Sequence, residues 1–290
     1  MDKYTKSPPR SKLPAGLYVV ATPIGNLQDI TIRAIEILKN ADAVYCEDTR
    51  QSGKLMAHFG LPTPLYTYHD HNADKVRPLL LEKLQNGEAI ALISDAGTPL
   101  ISDPGYKLVS ACHDQHIQVY TIPGPSSPIA ALSASGLPSD RFYFGGFLPT
   151  KQGERHHVLE RDANILHTLI YFETPNRLIA SLEDIRALMG NRVVCVAREL
   201  TKTFESIQRG TVDELLSYYK TTGVLKGEIV LLIHGAEEKA TTMNGPVTEL
   251  LHELIQHIPL KKACLLLANI TGIAKKDLYQ KAIELKDLDD

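Results

Sequence analysis

Tryptophan is absent from the 290 residues, cysteine occurs only four times, and neither sign of charge is in large excess. Each scarcity excludes something. Cys46, Cys112, Cys195 and Cys264 lie far apart, with no C-x-x-C pair and no histidine at ligand spacing, which argues against a disulfide scaffold and a structural zinc. Each sits in an apolar or strand-like run, where a small buried thiol is expected. No apolar run approaches the roughly 18 residues that suggest a membrane span, and the N-terminus, with its Pro8-Pro9 pair, lacks the apolar centre of a secretory signal. A soluble cytoplasmic protein with a frayed start over 1–15 is expected. Lys and Arg number 31 against 34 Asp and Glu, a net charge of −3, so the chain is no polycation and any nucleic-acid contact must be a local patch.

What is present is an alternation of short β-branched runs and helical patterns. Leu17–Ala21, Ala43–Cys46, Ala89–Ile93 and Ile117–Ile122 read as strands. Between them Ile32, Ile35 and Leu38, then a run through Leu55 and Phe59, then Tyr106 to His113 recur at helical spacing. Strand, helix, strand in this order predicts a mostly parallel sheet with helices on both faces, over an N-terminal α/β domain at 16–123. After Pro123-Gly124-Pro125 a second series, with strands at 142–144, 168–172, 192–196, 206–208 and 228–233, predicts a C-terminal α/β domain at 124–235. Residues 236–246 are polar, aperiodic and end in Gly-Pro, as a linker does. Three short helical patterns, 247–257, 260–270 and 274–285, then predict a helix-turn-helix-like tail at 246–290.

Ligands of open α/β sheets bind beyond the carboxyl ends of the strands. Three loops there are rich in residues that let a ligand approach the backbone: Ala21-Thr22-Pro23-Ile24-Gly25-Asn26-Leu27, Ser94-Asp95-Ala96-Gly97-Thr98-Pro99 leading to Ser102-Asp103-Pro104-Gly105, and Pro123-Gly124-Pro125-Ser126-Ser127-Pro128. Singly, each is also readable as an ordinary capped turn; together they would line one pocket. G-x-G-x-x-G, G-x-x-x-x-G-K-[ST] and G-x-S-x-G are all missing, which removes the usual support for a dinucleotide site, a P-loop and a hydrolase elbow.

These loops, together with Cys46-Glu47-Asp48-Thr49-Arg50 and Phe172-Glu173-Thr174-Pro175, resemble the tetrapyrrole methylase superfamily, and within it the ribosomal RNA branch, from about residue 16 to the terminal helices. Corrin-making relatives carry a G-x-G-P-G-D type first loop, and Thr22-Pro23-Ile24-Gly25-Asn26-Leu27 departs from it toward the RNA branch. The resemblance implies two α/β domains with S-adenosyl-L-methionine held in the cleft between them, a homodimer, and no metal. It implies cofactor contacts from Pro23, Asp95, Gly97, Thr98, Ser126, Ser127, Tyr171, Phe172, Leu200, Gly227 and Glu228. The implied substrate is the ribose of a cytidine, cytidine 1402, in the 16S rRNA of the 30S ribosomal subunit, methylated at its 2′-oxygen.

Methyl transfer from a sulfonium needs no metal; a weak nucleophile must be held in line and its proton accepted. The sequence offers catalytic candidates without choosing among them. Glu47, Asp48 and Arg50 leave one strand end together, as proton acceptors and a phosphate contact or as an internal Arg–carboxylate pair capping the next helix. Glu173 and Arg177 leave another, with the same two readings. Lys202 belongs to a charged group with Arg198, Glu199 and Glu205 that is equally readable as a solvated loop. Arg50 and Arg177 are RNA-binding candidates, as are Lys261, Lys262, Lys275 and Lys276, the four lysines of a stretch from 260 to 276 without an acidic residue. His156-His157 and His69-Asp70-His71 lack metal-ligand spacing. A porphyrinoid methyltransferase and a non-catalytic ribosome-assembly protein are the competing readings.

Overall fold

Residues 12–223, 226–237 and 245–289 are described by a computed structural model. Residues 1–11 of the expected frayed start and 238–244 of the expected linker lie outside them. The chain divides into two compact units, Met1–Ala236 and Glu237–Asp290.

The first unit holds two five-stranded sheets. In the first sheet β1 (Gly16–Val20), β2 (Ala43–Cys46), β3 (Leu65–Thr67), β4 (Ala89–Leu92) and β5 (Val119–Ile122) are all parallel, in the order β3-β2-β4-β1-β5. Ala43–Cys46 and Ala89–Leu92 are buried at every position, because helices cover both faces and an alternating pattern has nothing to alternate with. Helices α1 (Ile32–Asn40) and α2 (Thr49–His58) pack Ile37, Leu38, Leu55 and Met56 against Val20, Val44 and Ala91 on one face. On the other, α3 (Ala73–Gln85) and α4 (Tyr106–Asp114) pack Leu80, Leu84, Leu108 and Cys112 against Leu17, Tyr45 and Ile90. Helix α1 starts where it does because the Thr31 hydroxyl accepts the Ala34 N–H.

The second sheet is mixed, not parallel throughout. Its strands β6 (Phe142–Phe147), β7 (Thr168–Glu173), β8 (Val193–Arg198), β9 (Ser206–Thr211) and β10 (Ile229–Ile233) run in the order β6-β7-β10-β8-β9, and only β6 and β7 are parallel. Helix α5 (Ser127–Ser135) covers one face with Ala131 and Leu132; α6 (Gln152–Asp162), α7 (Pro175–Met189) and α8 (Val212–Thr222) cover the other with Leu159, Leu178, Leu182 and Leu215. A bulge at Gly145–Gly146 interrupts the β6–β7 ladder, and a Cβ on Gly145 would sit 2.3 Å from the Tyr171 ring.

In the second unit α9 (Gly245–His257), α10 (Leu260–Thr271) and α11 (Lys275–Asp289) enclose Leu251, Ala263, Cys264, Leu267, Leu278 and Ala282. All four cysteines are buried, and burial pushes the Cys112 and Cys195 thiols up to about 11. None suits a nucleophile at neutral pH. No helix among the described residues is long and apolar enough to cross a membrane.

Candidate active site

Because the first sheet is wholly parallel, the loops after β1, β4 and β5 leave it at one end, and short bonds tie them together. Thr22 and Gly97 exchange both backbone hydrogen bonds, at 2.9 and 3.0 Å. The Thr98 hydroxyl donates to the Pro125 carbonyl at 3.0 Å, and the Thr22 hydroxyl to the Ser94 carbonyl at 3.2 Å. Gly97 adopts φ +80°, open to a residue without a Cβ. Leu100 and Ser102 hold φ of 73° and 66°, conformations that cost a side-chain-bearing residue on the order of 1–3 kcal/mol and concentrate at functional sites.

The loop after β8 faces them and carries the same signature, with Glu199 at φ 52° and Thr201 at 66°. The two loops approach so closely that a Cβ on Gly25 would lie 2.8 Å from the Leu200 carbonyl oxygen and 2.6 Å from Lys202 Cγ. Beside this junction is a cavity of about 290 Å³. Its walls include Ile24, Asp95, Gly97, Thr98, Ser102 and Asp103 from the first domain, Ser126, Ser127 and Pro128 at the start of α5, and Phe147, Phe172, Ala197, Leu200, Gly227, Glu228 and Val230 from the second. Its apolar side follows from strand register: Phe172, Val230 and Ala197 are directly paired across β7, β10 and β8, and so share one face. The bulge at Gly145–Gly146 turns the 57% exposed Phe147 toward the same cavity, its ring centroid 5.0 Å from that of Phe172.

Asp95, Gly97, Thr98, Ser126, Ser127, Phe172, Leu200, Gly227 and Glu228, for which the resemblance implies cofactor contacts, are all on the cavity wall. Pro23 is buried and is not among the wall residues. Tyr171 is a correction: one residue from Phe172, its side chain takes the opposite face of the sheet with Leu231 and Val196, and its hydroxyl donates to Asp162 at 2.7 Å. The charged candidates also resolve. Glu173 reaches the rim, yet its carboxylate turns under α7, where it accepts from the Thr174 N–H and the Ser181 hydroxyl, both at 2.6 Å, and pairs with Arg177 at 2.7 Å. Arg177 also donates to the Leu148 carbonyl and the Thr150 hydroxyl. Both residues anchor the start of α7, which corrects the catalytic and RNA-binding expectations placed on them.

Asp48 caps α2 through the Arg50 N–H and pairs with the Arg50 guanidinium at 2.7 Å, whose hydrogen bonds hold its carboxyl at about 2. A carboxyl held that low is a poor proton acceptor, so Asp48 is corrected to a helix cap. Arg50 is 88% exposed beside it. Lys202 bonds Glu199 at 2.8 Å and Glu228 at 3.2 Å; burial would lower its pKa, but these carboxylates outweigh burial and raise it. It stays charged, which corrects its candidacy as a base. Glu47 is raised by burial and by the nearby Asp95 and Asp70. Wall residues given no role from the sequence are Ile24, Ser102, Asp103, Phe147, Ala197 and Val230; Ile24 lay in the first loop and Ser102 and Asp103 in the Ser102-Asp103-Pro104-Gly105 turn, whereas Phe147, Ala197 and Val230 carried no local signal.

Among the described residues no group of three or more His, Cys, Asp or Glu could hold a metal ion. His156 instead bonds Asp184 at 2.8 Å. In the second unit Lys261, Lys262, Lys275 and Lys276 are all exposed. Lys275 lies close enough to Cys264, one turn into α10, to lower its thiol pKa against the larger effect of burial. Lys275, Lys276, Tyr279, Gln280 and Ile283 line a shallow groove on α11.

Two α/β domains with a loop-walled cleft are the architecture of a class of methylases. Diphthine synthase is similar in fold at TM-score 0.58 and 16% identity, over 76% of this chain and 89% of that one. Uroporphyrin-III C-methyl transferase from Thermus thermophilus, complexed with S-adenyl homocysteine, is similar at TM-score 0.54 and 18% identity, over 76% and 97%. The family model described as Tetrapyrrole (Corrin/Porphyrin) Methylases matches residues 16–216, and the one described as RsmI C-terminal HTH domain matches 244–286. Among curated relatives, the proteins named ribosomal RNA small subunit methyltransferase I from Mesorhizobium japonicum and Escherichia coli O157:H7 are 50% and 48% identical, over 98% and 92% of this chain and 96% and 94% of theirs. The chain belongs to the ribosomal RNA small subunit methyltransferase I family of the tetrapyrrole methylases, and is an S-adenosylmethionine-dependent methyltransferase.

Proposed function

We propose that this chain methylates the ribose 2′-oxygen of a cytidine, cytidine 1402, in the 16S rRNA of the small ribosomal subunit. The observation that carries the reading is the cleft cavity, walled by the loops after β1, β4 and β5, in a chain about half identical to relatives named for small-subunit RNA methylation.

The residues present fit S-adenosylmethionine. Phe172, Ala197, Leu200 and Val230 make an apolar wall for a flat heterocycle. Ser126 and Ser127 bring the N-terminal end of α5 and two hydroxyls to the cavity wall, which suits a carboxylate. Asp95 and Asp103 put negative charge where a cationic group would sit. When bound, the cofactor supplies an electrophilic methyl group on a sulfonium. The chain's own work is then to exclude water, align the ribose oxygen and take its proton. Gly97 at φ +80° and Gly227 at φ +100° keep the wall clear of Cβ atoms; one on Gly227 would sit 2.3 Å from Glu199 Cδ.

Lys261, Lys262, Lys275 and Lys276 are proposed to bind RNA phosphates, with Arg50 as a further exposed cation near the cleft loops. The reading also places the protein in the cytoplasm, as a homodimer, with its α/β domains at 16–123 and 124–235 and its tail at 246–290. A porphyrinoid substrate gives the lysine-bearing tail no task. The test is a map of 2′-O-methyl groups in 16S rRNA from cells lacking this protein, repeated after complementation. One cytidine should lose and regain its methyl group; an unchanged map would refute the reading, and would favour a ribosome-assembly role if donor binding persists.

A further inference from the structure

We infer, on the reading that S-adenosylmethionine occupies the cleft cavity, that Arg155 is a positioning residue for this donor. From the face of the second sheet that turns away from the cavity, it fixes the loop between β6 and α6 and, through that loop, Phe147 on the cavity wall.

Residues 148–150 follow Phe147 directly and precede Lys151, the N-cap of α6. Their carbonyls fall beyond the strand ladder and ahead of the helix ladder, so their hydrogen bonds must come from elsewhere. Two guanidinium groups supply them. Arg155 Nη1 donates to the Pro149 and Thr150 carbonyls, both at 3.2 Å. Arg177 Nη1 donates to the Leu148 carbonyl at 3.2 Å and to the Thr150 hydroxyl at 2.8 Å. Three consecutive carbonyls are thus held by side chains from α6 and α7. The loop is also tied to the cavity wall, because the Leu148 N–H donates to the Phe172 carbonyl at 3.2 Å.

Arg155 can act as a clamp because it is itself anchored. Its Nε and Nη2 both reach Asp184 Oδ2 at 2.6 Å, while Asp184 Oδ1 takes His156 at 2.8 Å and Gln152 at 3.1 Å. The Arg155 and Asp184 side chains are only 5% and 7% exposed. Burial would raise the Asp184 carboxyl, but hydrogen bonds from His156, Gln152 and Arg155 outweigh it and hold the group below the usual carboxylate range. Packing α6 on α7 does not require such a pair, since Leu159, Leu178 and Leu182 already join the two helices, and desolvating two charges opposes folding. What the pair adds is a rigid planar fork, with one edge on Asp184 and the other on the loop.

Phe147 depends on that fork. It reaches the cavity by way of the bulge at Gly145–Gly146, where neither residue has a side chain to brace it. Its place on the wall is therefore set by the segment that follows it.

The experiment measures S-adenosylmethionine affinity and stoichiometry by calorimetry, and donor KM and kcat on isolated 30S subunits. Arg155→Lys keeps a cation beside Asp184 but loses the fork, since an ammonium cannot serve the carboxylate and two carbonyls from one place. Its donor dissociation constant and KM should rise together about 3–30-fold with stoichiometry unchanged. A merely structural role predicts the opposite split: a smaller folded fraction lowers stoichiometry and kcat and leaves the dissociation constant alone. Tyr171→Phe, which breaks a buried hydrogen bond elsewhere in the same domain, should leave donor affinity as it is. Thr150→Val removes only the exposed loop's bond to Arg177 and should weaken donor binding about twofold or more. Less than about a threefold rise for Arg155→Lys, a loss confined to stoichiometry and kcat, or an equal loss in Tyr171→Phe would each overturn the inference. Should Arg155→Lys not fold, Thr150→Val decides, and less than about a twofold effect overturns it. Phe172→Ala separates the two ways of failing: if it also leaves donor affinity within about threefold, the donor lies elsewhere and the reading falls together with the inference.

Discussion

Gly25 is where one α/β domain leans on the other, so Gly25→Ala places a single methyl group between them. The added Cβ would lie 2.6 Å from Lys202 Cγ and 2.8 Å from both the Leu200 carbonyl oxygen and Thr201 Oγ1. The lysine methylene can swing aside. The carbonyl cannot, because Glu199 and Thr201 on either side of Leu200 are already at positive φ. Overpacking of this kind costs about 1–3 kcal/mol. For a unit of this size that is about 2–4 °C in Tm per kcal/mol. The same strain should displace Leu200 from the cavity wall and weaken donor binding about 5–150-fold if all of it is expressed there. Gly53→Ala is the internal control: Gly53 lies in α2 with its nearest neighbour, Leu65 Cδ1, 4.0 Å from the new Cβ, and should gain about 0.5–1 kcal/mol from helix propensity. Scanning calorimetry with and without donor reads both effects. Equal stability and equal donor affinity for Gly25→Ala and wild type would refute the reasoning that the loops after β1 and β8 meet here too closely to admit a methyl group.

Tyr171→Phe should cost about 1.5–3 kcal/mol in urea unfolding, because a buried hydrogen bond to the Asp162 carboxylate is lost, and should leave donor affinity unchanged within twofold; a large loss of affinity would mean that Tyr171 faces the cleft after all. Asp103 has a folded-state pKa above its unfolded value, so the folded protein binds the extra proton and wild type loses stability as pH rises from about 4 to about 6. Asp103→Asn should therefore be more stable than wild type above pH 7 by about 1–2 kcal/mol after solvent screening, the gap closing toward pH 4; a constant gap in melting experiments would contradict the assigned titration. Replacing Lys261 and Lys262 by Ala should weaken RNA binding, flatten its salt dependence by about 0.7 in slope per lost phosphate contact and spare donor affinity; equal loss of both affinities would remove the tail from the RNA interface.

Much of the cleft was legible because its signals are local. Thr22-Pro23-Ile24-Gly25 and Asp95-Ala96-Gly97-Thr98 announce turns through residues that only special backbone geometry requires, and both lie on the loops that meet at the Thr22–Gly97 bridge. What stayed hidden depends on partners distant in sequence. Tyr171 and Phe172 are equally apolar neighbours in a strand, and only pairing with Val230 decides which of them sees the cavity. Asp103 reads as a turn residue until β2 and β4 bring Glu47 and Asp95 beside it. Strand β3 has three residues and α3 contains Pro78, so neither presents enough period to be recognised without the sheet and core that hold them. The mixed pairing of the second sheet was equally invisible, since strand direction is a property of connections and not of composition.

The parallel order of the first sheet also dictates a timetable. Strand β1 ends at Val20, but its flanking partners begin only at Ala89 and Val119, so during synthesis it stays unpaired until roughly 70 further residues have been made, about 4–14 s at ordinary elongation rates. An apolar Leu-Tyr-Val-Val segment waits over that interval with both of its edges open, the condition in which an unpaired strand invites wrong partners.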